Sequence, residues 1–296
     1  MSKSVAKDQP VRMRMNNTQI PGMYDANDSA AIYRRFMDWL FTTFGEDEAQ
    51  FRQSLIQRLH LKKGQRVLVT GCGLGDDVLA MLDAHGANCQ IMATDLSTEM
   101  MAGTARALEG RGAAERAAVE LQACDACKLP WPEGTFDAAF HFGGINLFDD
   151  PALGVSEMTR VVKEGGRVVF GDEGVAPWLK DTDYGKMVIA NNPLWSADSL
   201  ITRMPFSAIN VNLSWVLGNC FYMIEFDKRS EGPRIDPDVR HIGWKGGTMR
   251  TRHLGRVEGI TPELKDRLQA FARKSGMSVH DLLESAVTEK LKEHGG

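Results

Sequence analysis

The sequence predicts an α/β protein: a mostly parallel sheet with helices on both faces, closed by an antiparallel hairpin and followed by a small strand-helix-helix appendage. Three observations predict it. Five strand signals are interleaved with helix signals between residues 66 and 173, the pattern of βα units in a parallel sheet. Two apolar stretches, "INVNLSWVLGN" and "CFYMIEFDKR" (209–229), then follow one another across a Gly-Asn turn with no helix between them. At "RSEGPRIDPD" (229–238) the composition shifts to charge, proline and glycine, and a separate helical pattern begins beyond it.

In chain order, residues 1–20 show no periodicity and read as a mobile arm. Residues 21–62 hold two lid helices: "DSAAIYRRFMDWLFTTF" has Ile32, Phe36, Trp39, Leu40 and Phe44 at helical spacing, and "EDEAQFRQSLIQRLHL" aligns Phe51, Leu55, Ile56 and Leu59. The core spans 63–229. Its strands fit 66–70, 89–95, 118–125, 136–142 and 166–173, and its helices fit "GDDVLAMLDAHG", "STEMMAGTARALEG" and "DPALGVSEMTRVVKEG". Ser97 and Asp150 are the expected N-caps, Gly110 and Gly165 the expected stops. A linker (230–247) leads to a tail at 248–296.

Composition narrows the function. The 296 residues suffice for one sizeable α/β domain and an appendage, and the net charge of −4 gives no global signal for a polyanion partner. Cys72, Cys89, Cys124, Cys127 and Cys220 form no disulfide-like framework. The lone Cys124-x-x-Cys127 lacks the second pair or histidines that zinc needs, so no metal is expected. No run approaches the ~18 apolar residues of a membrane span and the N-terminus carries no apolar leader, so the chain reads as cytoplasmic with reduced thiols.

Ligands of an open parallel sheet bind beyond the carboxyl ends of its strands. After the first strand comes Gly71-Cys72-Gly73-Leu74-Gly75-Asp76-Asp77. A dinucleotide fingerprint would place its third glycine at position 76. Here the third glycine comes one residue early, and two carboxylates stand where a pyrophosphate would sit. The next strand ends at Asp95, able to accept both hydroxyls of a ribose, and the third at Asp125, able to accept from an adenine amino group. An adenosine met by three successive strand ends without a phosphate site points to S-adenosylmethionine, whose sulfonium suits an acidic, glycine-walled pocket.

With these residues in view, residues 24–228 resemble the class I S-adenosylmethionine-dependent methyltransferases, in particular the ubiquinone/menaquinone-biosynthesis type that acts on small molecules. "VLVTGCGLG", "ATDLSTEMM", "CDACKLPWPEGTFDAAF" and "EMTRVVKEGGRVVFGDE" carry the resemblance. It implies a Rossmann-like seven-stranded, mostly parallel sheet whose last strand is antiparallel. It also implies that Gly71, Gly73 and Gly75 wall the methionine part, that Asp95 and Leu96 hold the ribose, and that Asp125, Ala126 and Cys127 meet the adenine. Tyr24 matches the aromatic residue that covers the cofactor. Where the family places an acid two residues before the first glycine, this chain has Val69.

Methyl transfer is an in-line displacement that mostly needs alignment and exclusion of water, and a base only when the acceptor must lose a proton. His141, near the end of the fourth strand, is the candidate base or orienter, the alternative being a histidine bonded within the wall. Asp172 and Glu173 end the fifth strand and are the other catalytic candidates. Asn146, Trp178, Trp195 and Arg203 are candidate substrate contacts, in a stretch rich in large apolar side chains that suits a small, partly apolar acceptor. The Asn/Asp-Pro-Pro-aromatic motif of DNA amino-methylating enzymes is absent after strand four.

The tail resembles a ribbon-helix-helix module: Thr261-Pro262 opens one helix, Gly276 ends it, and Ser278 opens the next. Such a unit cannot bury its apolar faces alone, so the resemblance implies a homodimer. Residues 240–296 hold 11 Lys and Arg against 7 Asp and Glu, net +4, leaving −8 for the rest. The rival reading is therefore an S-adenosylmethionine-responsive regulator whose Arg250, Arg252 and Arg256 meet DNA phosphates from a strand.

Overall fold

A computed structural model describes residues 13–14, 29–255 and 260–295. The chain divides into two units, Met1–Pro233 and Arg234–Gly296.

The first unit is built on one sheet. Its strands are β1 (Met13–Arg14), β2 (Arg66–Val69), β3 (Gln90–Asp95), β4 (Val119–Ala123), β5 (Phe136–Phe142), β6 (Val162–Glu173), β7 (Ala208–Val216) and β8 (Phe221–Lys228), in the order β1-β4-β3-β2-β5-β6-β8-β7. The helices are α1 (Ser29–Phe44), α2 (Glu48–Gln57), α3 (Asp76–His85), α4 (Thr98–Leu108), α5 (Ala113–Ala117), α6 (Pro151–Val161) and α7 (Asp183–Asn191). Strands β2 to β6 are parallel, and β8 pairs antiparallel with both β6 and β7. The seven expected strands are therefore present, with the hairpin's second strand inserted next to β6. The turn between them runs through Leu217, Gly218 and Asn219, all at positive φ.

The middle strands are apolar on both faces because both faces are covered. Val67, Leu68 and Val69 of β2 and Ala138, Ala139 and Phe140 of β5 are buried. One face packs with Leu40, Leu55, Ile56 and Val78. The other packs with Val155, Met158, Tyr222 and Phe226. The chain winds outward through β3 and β4 on one side of β2, then through β5 and β6 on the other. The winding thus reverses between β2 and β5, where a ligand crevice opens in such sheets.

Three boundaries differ from expectation. Residues 13–14, inside the arm expected to be mobile, form β1 and pair with Leu121 and Gln122, so the sheet has eight strands. The helix expected to reach Gly165 ends at Val161, because β-branched Val162 already pairs with Phe136 at the start of β6. Gly165, at φ +73°, lies in the strand's lead-in instead. The caps are as read: Ser97 accepts from the Met100 amide, and Asp150 from the Ala152 and Leu153 amides.

In the second unit, α8 (Met249–Leu254), α9 (Pro262–Ser275) and α10 (Val279–Glu293) follow one another. The strand expected ahead of the two helices is replaced by α8. Thr248 and Thr251 form a reciprocal capping box that favours a helical turn there. The ribbon of a ribbon-helix-helix module is thus absent among the described residues. Arg250 pairs with Asp238 at 2.7 Å and Arg252 donates to the Gly246 carbonyl, while Arg256 lies outside the described residues. Thr261 and Ser278 cap α9 and α10, and Gly276 closes α9 at φ +72°, all as expected.

Candidate functional site

The site begins where β2 ends. Gly71, Gly73 and Gly75 all take positive φ (58°, 54° and 90°), which only glycine adopts cheaply. At two of the three there is also no room for a side chain: a Cβ at Gly75 would lie 2.8 Å from Thr104 Cγ2, and one at Gly71 3.0 Å from the His141 ring. The Thr104 hydroxyl donates to the Gly73 carbonyl at 2.8 Å, tying the turn to α4.

The carboxylate at the end of β3 completes the turn. Asp95 accepts from the Gly73 amide through one oxygen (2.8 Å) and from the Ser97 amide through the other (2.9 Å). The Gly75 amide is bonded to the Cys72 carbonyl at 2.9 Å. Two amides of the glycine turn are therefore committed within the protein, and α3 opens with Asp76 and Asp77. A pyrophosphate needs the reverse, open amides and no adjacent carboxylates. This set of carboxylate acceptors suits a ligand with hydroxyls and positive charge. At the end of β4, Asp125 accepts from the Cys127 amide at 2.7 Å, with Ala126 half-buried between them. Cys127 Sγ reaches the Asp150 carbonyl (3.4 Å), and burial pushes the Cys124 thiol up to about 12, so this CxxC pair is not a thiolate centre. Among the described residues no cluster of metal ligands occurs.

Beyond β5, Gly143 and Gly144 take positive φ, and a Cβ at Gly143 would meet nothing within 4 Å, so the chain leaves open space there. This loop is held from β6: Asp172 accepts from the Gly144 amide (2.8 Å) and the Asn146 amide (2.5 Å). Asp172 is fully buried, which pushes its carboxyl up to about 7. Its two oxygens staple the loop. The Asn146 side chain donates to the Glu173 carbonyl. The Glu173 carboxyl stays above its usual range because it is buried, moderated by the Trp195 indole and the Asn192 amide.

An aromatic wall borders this end of the sheet. It runs from Phe36 to Trp39 (ring centroids 5.8 Å apart), Trp195 (6.2 Å), Phe221 (6.0 Å), Phe142 (5.7 Å) and Phe51 (5.3 Å). It joins α1, α2, the segment after α7 and two strand ends.

A family model described as "Methyltransferase domain" matches residues 68–170, the stretch from β2 into β6 that carries these strand ends. Over that stretch the chain is similar to methyltransferase domains. Demethylmenaquinone methyltransferase of Geobacillus sp. (strain WCH70) is 29% identical over 146 residues, covering 49% of this chain and 56% of that protein. The ubiquinone/menaquinone biosynthesis C-methyltransferase UbiE of Geobacter sulfurreducens is 33% identical over 128 residues, covering 43% and 49%. The chain thus spans about half the length of the curated relatives it matches. Among solved structures, Haemonchus contortus phosphoethanolamine N-methyltransferase 2 in complex with S-adenosyl-L-methionine shares the fold, with a TM-score of 0.54 at 15% identity over 70% of this chain and 59% of that one.

The structure treats the other expected residues unequally. Leu96 is half-exposed beside Asp95, and Trp195 is fully buried within the aromatic wall. Trp178 is 62% exposed and rests edge-on against Trp215. Arg203 pairs with Asp150, the cap of α6, at 2.9 Å. Tyr24 lies outside the described residues. His141 is buried behind Gly71, with Nδ1 3.0 Å from the Thr70 carbonyl and 3.1 Å from the Thr70 hydroxyl. Burial lowers its pKa to about 4, so at neutral pH it is an uncharged wall residue.

Sequence reading missed the clamp on α3. Arg52 of α2, itself buried, reaches Asp77 at 2.6 Å and Glu48 at 2.8 Å, and Arg34 of α1 reaches Asp76 at 2.8 Å. Tyr33 lies against Gly73, and burial holds its hydroxyl protonated. Nothing in the apolar periodicity of α1 or α2 marks these polar positions. Val69, where the resemblance expects an acid, is fully buried apolar core.

The His141 environment carries a pH signature. In the folded state its pKa is depressed, so between about pH 4 and 6.5 the unfolded chain binds the proton more strongly, and stability rises with pH across that window. Asp172, whose carboxyl is raised by burial, slopes the opposite way over an overlapping range. The two are separated by comparing wild type with His141→Gln. Chemical denaturation at pH 7 and pH 4 should show the wild-type advantage shrinking by up to about 3 kcal/mol toward acid. A difference independent of pH would mean that the histidine titrates normally.

Proposed function

We propose that this chain transfers a methyl group from S-adenosylmethionine to a small, partly apolar acceptor. The observation that carries the reading is the glycine turn whose Gly73 amide is bonded to Asp95, with Asp125 at the adjoining strand end and acids opening α3. Asp95 and Leu96 would hold the ribose, Asp125, Ala126 and Cys127 the adenine, and Gly71, Gly73 and Gly75 the methionine part. S-adenosylmethionine supplies an activated methyl on a sulfonium that leaves readily.

The protein's own residues then bind, align and keep out water. His141 supports Gly71 from behind. Asp172 fixes the Gly143–Asn146 loop, whose open space beside Gly143 suits the approach of an acceptor. The aromatic wall lies at the same end of the sheet, and in this reading Asn146 contacts the acceptor and Glu173 orients a polar group or takes its proton. The names of the relatives support an acceptor related to quinones, and the aromatic wall agrees with a flat, apolar ring. Among the described residues no helix is long and apolar enough to cross a membrane. We place the protein in the cytoplasm, in keeping with its five free cysteines.

The DNA-regulator reading loses support because α8 replaces the strand it needs and Arg250 and Arg252 are engaged within their own unit. The test is direct. The purified chain, given S-adenosylmethionine labelled at the methyl and a panel of hydroxylated quinol-type rings, should release S-adenosylhomocysteine and label one class of ring. It should bind S-adenosylhomocysteine and not NAD. Binding of NAD in preference would sink the assignment.

A further inference from the structure

The second unit is nearly without a core. Among its described residues the only buried hydrophobic side chain is Ala272. Its two long helices instead expose apolar stripes: Leu264 and Phe271 on α9 (48% and 54% exposed), and Leu283, Val287 and Leu291 on α10 (42%, 52% and 56%). The spacings, i and i+7 on one helix and i, i+4, i+8 on the other, put each set along one side of its helix. Both helices are well capped, so the stripes belong to formed helices and not to frayed ends.

The net charges of the two helices identify what covers the stripes. Along α9, Lys265, Arg267, Arg273 and Lys274 outnumber Glu263 and Asp266, net +2. Along α10, Asp281, Glu284, Glu289 and Glu293 outnumber Lys290 and Lys292, net −2. Two helices of nearly equal length (14 and 15 residues) thus carry equal and opposite net charge. A two-fold axis satisfies both at once, laying α9 of one copy on α10 of the other and the reverse, as an isologous contact requires. The five stripe residues offer on the order of 500 Å² per copy, about 1,000 Å² for a pair, the lower bound of a specific interface. A duplex would instead demand a one-signed basic face, which two helices of cancelling charge do not present.

We infer that α9 and α10 form a self-complementary surface whose occupant is the same pair of helices from a second copy of this chain, joined by apolar stripes and matched helix charges. The inference stands apart from the proposed chemistry, since it is read by mass and not by turnover.

The experiment uses the full chain in sedimentation equilibrium across a concentration series. Wild type is expected at twice the mass of one chain at tens of micromolar. Val287→Glu, at an exposed helix position, is expected at the mass of one chain with its helix content retained. The charge match is tested with two variants. Lys265→Glu with Arg267→Glu makes α9 negative, and Glu284→Lys with Glu289→Lys makes α10 positive. Each alone should remain a single chain, and an equimolar mixture should restore the two-chain species. A monomeric wild type at high micromolar concentration would overturn the inference. So would a Val287→Glu variant that keeps the double mass, a mixture that fails to pair, or a one-chain species retained on duplex DNA.

Discussion

Replacing Asp95 with alanine should weaken S-adenosylmethionine binding by at least about 100-fold, read by titration calorimetry, while the domain stays folded. Asp95 acts on both sides of the site. Its two oxygens hold the Gly73 and Ser97 amides, fixing the glycine turn and the start of α4 together. In the proposed function it is also the acceptor of the ribose hydroxyls. Hydrogen bonds to a charged group contribute about 1.5–3 kcal/mol each, so losing two ligand bonds together with the turn's order reaches about 3 kcal/mol or more, a factor of about 100 or greater. The protein itself should lose about 1–3 kcal/mol, because the Gly73 amide is half-buried and can reach water while Ser97 is buried and its amide is left short of a partner. Asp95→Asn separates the contributions: its carbonyl can serve one amide but its NH₂ group opposes the other, so affinity should fall between wild type and alanine. A loss below about threefold in Asp95→Ala would remove the cofactor from this turn.

The fold was legible where one pattern decides one structure. The alternating apolar runs from Arg66 to Glu173 could only be buried between two helical layers, and β2 to β6 lie as that requires. The hairpin was legible because Gly218 and Asn219 interrupt two apolar runs with no helix to carry the chain across. The short strand β1 was not, since two residues have no periodicity and are held by their neighbour β4. The tail misled for a related reason: around Arg252 the local choice between strand and helix was settled by the Thr248–Thr251 capping box, which no hydrophobic pattern announces.

At the site, strand-end position selected Gly71, Asp95, Asp125 and Glu173 as candidates, and the structure brings them to one end of the sheet. Position did not distinguish residues that face a ligand from those that hold the wall. His141 and Asp172 are strand-end polar groups like Asp95, yet the structure buries both and binds them to backbone. Likewise Arg203 is turned to Asp150 by a cap that the sequence reading had identified without its partner. Partners many residues distant, such as Arg52 and Asp77, leave no mark in either local sequence.

That ion pair is where a single change should cost the most stability. Arg52 is nearly fully buried, and burial alone works against its charge. The carboxylates of Asp77, Asp76 and Glu48 more than reverse this, so the guanidinium stays charged. Arg52→Met should therefore destabilise the domain by about 3–5 kcal/mol, because it leaves the buried Asp77 carboxylate without its cation, visible as a lower urea midpoint. The deficit should narrow below neutral pH, where the stranded carboxyl can take a proton. Adding Asp77→Leu to Arg52→Met should recover much of the loss, since a buried pair replaced by apolar groups is often close to neutral. Stability and affinity should then part. The double variant regains its midpoint, but α2 no longer holds the first turn of α3 by charge, so the glycine turn leading into Asp76 is left less ordered and cofactor affinity remains below wild type. A loss under about 1 kcal/mol in Arg52→Met would mean that α2 is held by its apolar face alone, through Phe51, Leu55 and Ile56.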